Sequence, residues 1–217
     1  MINNKIIIGI STGDVNGVGP EVIIKTFDNP AMLEVCTPVV FGSSKLISYY
    51  KKTIGSELPF VGIDNLSQVI TGKLNILNIW NDVPAITPGK ETEEGGRLAF
   101  SSLSAAVKAL SEGPLDALVT APINKKNIQG PGFDFPGHTE YLASVLGGEP
   151  LMFLVSEDLK IAVATGHISI SEVAGAITPQ LIEQKIKQME QSLVKDFSVA
   201  KPRIAVLGLD PHNGAEG

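Results

Sequence analysis

The sequence is poor in several residue types, and each shortage narrows the choice of function. There is one cysteine, Cys36, in 217 residues. That excludes an internal disulfide and any cysteine-cluster metal site, and it fits a reducing, cytoplasmic setting. Cys36 itself reads as a small buried hydrophobe. Only two residues are arginine, Arg97 and Arg203, so an anion would be held largely by Lys, His, hydroxyls and backbone N–H groups. A basic excess is also missing. Seventeen Lys and Arg face 23 Asp and Glu, a net charge of −6, which argues against nucleic-acid or membrane-surface binding. No apolar run approaches the roughly eighteen residues of a membrane span. The start, MINNK, lacks the apolar stretch and small-residue cleavage site of a signal peptide. Internal repeats, low-complexity linkers and a compositional domain boundary are all absent, so the chain reads as one α/β region.

What is present is an alternation of strands and helices. Residues 5–10 (KIIIGI) form a β-branched run without polar alternation, the pattern of a strand buried on both faces. A Gly-rich turn follows at 11–19 (STGDVNGVG). Pro20 and Glu21 then open an apolar helix, with proline and an acid where a helix starts. Strands are predicted at 39–42, 74–80, 115–120, 161–165 and 203–209. Helices are predicted at 45–52, 93–112 and 139–146. Further helix starts lie at Ser169, whose spacing to Glu172 is that of a capping box, and at Thr178-Pro179. The stripe Ile182, Ile186, Met189 and Leu193 reads as helix packing. This order implies a layered, mostly parallel α/β sheet. After the last predicted strand the chain runs into a Gly-rich turn that looks like the entrance to another helix. The expectation is therefore the N-terminal part of a longer, two-domain protein, truncated at its C-terminal side.

In open parallel sheets, ligands sit beyond the carboxyl ends of the strands. Four segments fall there: 12–19, 120–138, 166–167 and 210–214. All three histidines, His138, His167 and His212, lie in them. His167 and His212 each follow an apolar strand directly. Imidazoles so placed suit a divalent transition metal, although two are fewer than the three protein ligands of a typical catalytic site, and ordinary loop histidines would look the same. The loop 121–137 holds Lys125, Lys126 and several Gly and Pro, and leads to His138-Thr139 at a helix start. Such an arrangement suits a phosphate or carboxylate; a solvated loop with a threonine cap is the alternative. The opening turn is neither G-x-G-x-x-G nor a P-loop, so the usual nucleotide fingerprints are missing, and Asp14 reads as a turn residue bonding local backbone. No G-x-S-x-G, H-E-x-x-H or Cys–His nucleophile pattern is present.

Taken together, four ordered segments resemble the 4-hydroxythreonine-4-phosphate dehydrogenase family of pyridoxal-phosphate biosynthesis. Residues 9–21 (GISTGDVNGVGPE) are similar to its G-D/E-P-A-G-I-G-P turn, with Val15-Asn16 in place of Pro-Ala. Residues 119–125 (VTAPINK) and 135–142 (FPGHTEYL) resemble its T-G-P…K and F-x-G-H-T-E signatures. Residues 163–168 (VATGHI) look like its A-T-T-H strand end, with Gly166 for Thr. Residues 208–214 (GLDPHNG) resemble G-L-N-P-H-A-G, with Asp210 for Asn.

The resemblance implies an isocitrate/isopropylmalate dehydrogenase-like fold and a homodimer. It implies that His167 and His212 bind a divalent metal (Zn, Co or Mg) and that His138 and Thr139 contact the phosphorylated substrate. It places the third metal histidine, other substrate contacts and most of the NAD or NADP site beyond residue 217. The implied reaction oxidises 4-phosphooxy-threonine with NAD(P)⁺ and decarboxylates the β-keto acid to 3-amino-2-oxopropyl phosphate. Oxidation of another phosphorylated four-carbon hydroxy acid, a non-catalytic phosphate-binding module and acyl transfer to phosphate are the competing readings.

Overall fold

The computed structural model describes residues 5–81, 85–130 and 132–212. Its contacts divide the chain into two compact units, Met1–Gly148 and Glu149–Gly217, at a point that composition does not mark.

The first unit runs β1 (Ile6–Ser11), α1 (Gly19–Phe27), α2 (Ala31–Val35), β2 (Cys36–Gly42), α3 (Ser44–Ile54) and β3 (Val61–Ile63). A 3₁₀ turn (Leu66–Gln68), β4 (Asn75–Asn78), α4 (Glu93–Ser111), β5 (Ala117–Thr120) and α5 (His138–Leu146) complete it. Its five strands form a parallel sheet in the order β3-β4-β2-β1-β5. Every residue of β2 is buried, and the two-residue alternation of a strand sorts them by face. Val40 packs with Ile23, Ile24, Leu46 and Ile47 from α1 and α3. Val39 and Phe41 point the other way, onto Ala106 and Ala109 of α4. A strand covered on both sides has no polar face, and the β-branched runs of the sequence reflect this.

The helices start where the sequence marks them. Pro20 lies in the first turn of α1 with Glu21 beside it. Ser43 caps α3, and Gly55 ends it in the left-handed conformation. The Thr92 hydroxyl accepts the Gly95 N–H to cap α4. α2 and β3 are elements that the sequence pattern does not show. Both are short, five and three residues, too few to set up a period.

The second unit holds β6 (Phe153–Val155), β7 (Lys160–Ala162), α6 (Ile170–Ala176) and α7 (Pro179–Lys195). The Ser169/Glu172 capping box and the Thr178 cap ahead of Pro179 both form. Two strand expectations need correction. The run 161–165 becomes β7, ending at Ala162 and pairing antiparallel with β6. The run 203–209 forms no strand. An apolar β-branched run becomes a strand only where a neighbouring backbone offers a ladder, and among the described residues none pairs with 203–209. Leu207 is 89% exposed as a result. Val206 instead lines one side of an apolar groove of ~580 Å³, with Val163, Val173, Ile182, Ile186 and Met189 on the others. Within the described residues, no helix is long and apolar enough to cross a membrane.

Candidate functional site

The sheet of the first unit carries polar loops at the carboxyl ends of β1 and β5, and these loops are bound to one another. Ala121 donates its N–H to the Ser11 carbonyl at 3.2 Å, and Asp14 donates its N–H to the Pro122 carbonyl at 3.0 Å. Gly13 makes this approach possible: it has φ +66°, and a Cβ there would meet the Pro122 oxygen at 2.2 Å. Behind the turn, the buried Ser102 hydroxyl of α4 donates to the Phe41 carbonyl and accepts the Thr12 N–H at 2.8 Å.

Asp14 is 6% exposed. One carboxylate oxygen accepts the Asn16 N–H at 2.9 Å, the local turn bond expected of it. The other accepts from the Asn127 amide at 2.9 Å, a contact across 113 positions. Asn127 also donates to the Thr92 carbonyl, and Asn16 donates to the Thr92 hydroxyl. The turn after β1, the start of α4 and the loop after β5 are thereby joined. Nothing local announces Asn127 in the sequence, since its side-chain partners Asp14 and Thr92 are far along the chain.

Residues 124–128 make one tight turn of the loop. The Asn124 side-chain oxygen accepts the N–H groups of Lys126 and Asn127, and Ile128 N–H bonds to the Asn124 carbonyl. Ile128 is buried among Leu103, Val107, Phe133 and Tyr141. Phe133 and Tyr141 stack with ring centroids 5.4 Å apart, and Phe100 and Phe135 meet Tyr141 at 5.8 and 5.5 Å. This aromatic cluster fixes α5 through Tyr141, one turn beyond its first residue. Pro131, within the same loop, lies outside the described residues.

His138 and Thr139 are the first two residues of α5, and both are half-buried. The N-cap is Gly137 and supplies no side-chain oxygen. The N–H groups of the first turn are therefore left for another acceptor, with the positive end of the helix dipole behind them. The Lys125 side chain comes close: its Cε lies 3.9 Å from where a Cβ on Gly137 would stand. Burial, and secondarily the Lys125 ammonium, hold the His138 imidazole below the ordinary histidine range. Its Nε2 is buried with no hydrogen-bond partner, and so is Oε2 of Glu140. Imidazole, hydroxyl, ammonium and free backbone N–H groups make an anion site in chemistry, while Glu140 brings one carboxylate next to it.

His167 and His212 lie in the second unit, both exposed. His167 follows β7 by five residues rather than directly. His212 donates its N–H to the Asp210 carboxylate at 2.8 Å, so Asp210 closes a turn on the backbone instead of holding the imidazole. Asn213 and Gly214 of the same motif lie outside the described residues. Imidazoles are suitable donors for a transition metal, but among the described residues no three His, Cys, Asp or Glu side chains gather into a metal site.

Comparison with known proteins identifies a family. The family model for the pyridoxal phosphate biosynthetic protein PdxA matches residues 34–217. A 4-hydroxythreonine-4-phosphate dehydrogenase of Bacteroides thetaiotaomicron is 42% identical over the whole chain, which covers 60% of that protein. A protein of Oceanobacillus iheyensis, provisionally named a D-threonate 4-phosphate dehydrogenase, is 31% identical over the whole chain, which covers 66% of it. The crystal structure of a 4-hydroxythreonine-4-phosphate dehydrogenase from Burkholderia phymatum superposes with a TM-score of 0.83 at 31% identity, over 99% of this chain and 66% of that one. The chain thus spans 60–66% of the length of these relatives. With the family model matching most of its residues, the chain belongs to the PdxA family of pyridoxal phosphate biosynthetic proteins.

Proposed function

We propose that this chain supplies the phosphate-binding part of a dehydrogenase that oxidises 4-phosphooxy-threonine with NAD or NADP. The product after decarboxylation is 3-amino-2-oxopropyl phosphate, on the route to pyridoxal 5′-phosphate. The observation that carries the reading is the uncapped start of α5, with His138 and Thr139 in its first turn and Lys125 beside it. Thr139 and the backbone N–H groups donate to phosphate oxygens. His138 donates when protonated, and Lys125 adds a positive charge. The aromatic cluster under Tyr141 holds these groups in place before the ligand arrives, which lowers the ordering cost of binding.

His167 and His212 are the side chains of this chain that would hold a divalent metal (Zn, Co or Mg), with any remaining ligands coming from outside the described residues. Such a metal favours the alkoxide form of a bound hydroxyl and polarises the carbonyl made from it. The active form in this reading is a cytoplasmic homodimer.

The test is NAD(P)H formation by the full-length protein with 4-phosphooxy-threonine, together with inorganic phosphate binding to this chain. In the binding arm, the His138 ring resonances report occupancy. Phosphate that binds without disturbing His138, or binds equally well to H138A/T139A, would remove the reading. A second reading, D-threonate 4-phosphate as the substrate, rests on the relative of that name. The two are separated by kcat/KM, since a site selective for one should turn it over at least about tenfold better than the other.

A further inference from the structure

We propose that Asp14 and Asn127 form a positioning clasp that ties the loop 121–137 to the sheet end and thereby sets Lys125 beside His138. The proposal deepens the phosphate-site reading and in part rests on it.

Asp14 is a nearly buried carboxylate, and no Lys or Arg pairs with it among the described residues. Such a charge is costly unless dipoles compensate for it. Here both oxygens are taken by N–H donors. One of them also lies 2.8 Å from where a Cβ on Gly95 would stand, against the first turn of α4 and the positive end of its dipole. A glycine is required there to let the carboxylate in.

The orientation of the Asn127 amide follows from its surroundings. Its nitrogen donates to the Asp14 carboxylate and to the Thr92 carbonyl, both pure acceptors. Turning the amide over would set its oxygen against those two oxygens. A charge-assisted bond on one side and a carbonyl on the other therefore define a single pose. Behind it, the Asn127 backbone carbonyl presses on α4: a Cβ on Gly96 would meet that oxygen at 1.8 Å.

Lys125 sits two residues before Asn127, in the same turn. With Asn127 pinned on one side and Ile128 buried in the core on the other, the turn has no freedom to rotate. Lys125 then projects toward Gly137 and the start of α5. The clasp links the end of β1 to the phosphate-binding groups without touching the ligand, so both residues are positioning residues.

The test uses this chain without ligand first. The His138 titration is followed by NMR in wild type, N127A, D14N and D14N/N127A, with Trp80 fluorescence confirming that the first unit is folded. D14N keeps the volume and the turn bond to Asn16, so it remains informative if N127A unfolds. The expected result is that His138 titrates low in wild type and moves up toward the ordinary histidine range in either single variant. The double variant should move it no further, because the two residues act as one unit. A folded N127A or D14N with an unmoved His138, or shifts that add in the double variant, would overturn the clasp. Inorganic phosphate is then titrated into each, with affinity expected to fall about tenfold when the clasp is broken. Failure of wild type to bind phosphate, with His138 still moving in the variants, would defeat the phosphate reading and leave the clasp standing. Unchanged binding and an unmoved His138 in folded variants would do the reverse.

Discussion

Removing one hydroxyl, in Ser102→Ala, should be among the most damaging single changes in the first unit. Ser102 is 0% exposed on α4. Its Oγ donates to the Phe41 carbonyl at the end of β2 and accepts the Thr12 N–H just past the end of β1. Alanine fills most of the same space and leaves a gap too small for a water to take over both bonds. Two buried backbone groups then lose their partner together. Each costs about 1–3 kcal/mol when left unpaired in the interior, so the loss should be about 2–6 kcal/mol. The assay is urea unfolding followed through Trp80, the single tryptophan of the chain, which packs against the core of this unit. With a slope of about 2 kcal/mol/M, the midpoint should fall by about 1–3 M at unchanged slope. Ser101→Ala is the control. The Ser101 hydroxyl bonds the Arg97 carbonyl on the exposed side of the same helix, and its loss should change stability by less than about 0.5 kcal/mol. A Ser102→Ala midpoint within about 0.25 M of wild type would refute the reasoning, because it would mean that neither backbone group depends on the hydroxyl.

Gly96→Ala should lower stability by about 3 kcal/mol or more, because the added methyl would stand 1.8 Å from the Asn127 carbonyl oxygen and backbone must shift to admit it; the same unfolding assay reads it. His138 gives a pH prediction with a definite sign. Its folded-state pKa lies below the unfolded value, so the unfolded chain binds more protons between the two. Stability should therefore fall as pH drops below about 6.5, with no contribution from this group above neutrality. His138→Gln should flatten that slope, and a pH profile identical to wild type would count against the burial of the imidazole. For the metal proposal, equilibrium dialysis of the full-length protein against Zn²⁺ or Co²⁺ should show affinity falling by about tenfold to a hundredfold or more in His167→Ala and His212→Ala. Retention of full affinity in both would exclude these histidines as ligands.

The fold was legible where a local signal and the tertiary environment agree. KIIIGI became β1, buried over Gly9–Ser11 though exposed at Ile6, because an apolar run with no polar face is stable only inside a layered sheet. Caps at Ser169 and Thr178 were readable because a cap bonds within three residues of itself. The same logic explains the failures. The run 203–209 carries the composition of a strand, but a strand is a pairing rather than a property of one segment, and no described backbone pairs with it. β6 and β3 escaped notice for the opposite reason: three residues suffice when a neighbour offers a ladder, yet they are too few to leave a pattern.

The candidate site divides along the same line. His138 and Thr139 could be picked out because a helix start next to a Gly/Pro loop is a local event, and their resemblance to a known signature is local as well. The Asp14–Asn127 contact spans 113 positions and joins two residue types that are common in turns, so each had a sufficient explanation close at hand. For Asp14 the local explanation was correct but incomplete: the turn bond to Asn16 uses one oxygen, and a carboxylate has two. An asparagine at position 14 would make the same turn without carrying a charge into the interior. The placement of an aspartate there is accounted for by its second oxygen, where the charge strengthens the bond to Asn127 and rejects the flipped amide. A buried charge with only neutral partners is thus a marker of where a distant loop is held, and it marks the loop that brings Lys125 to His138.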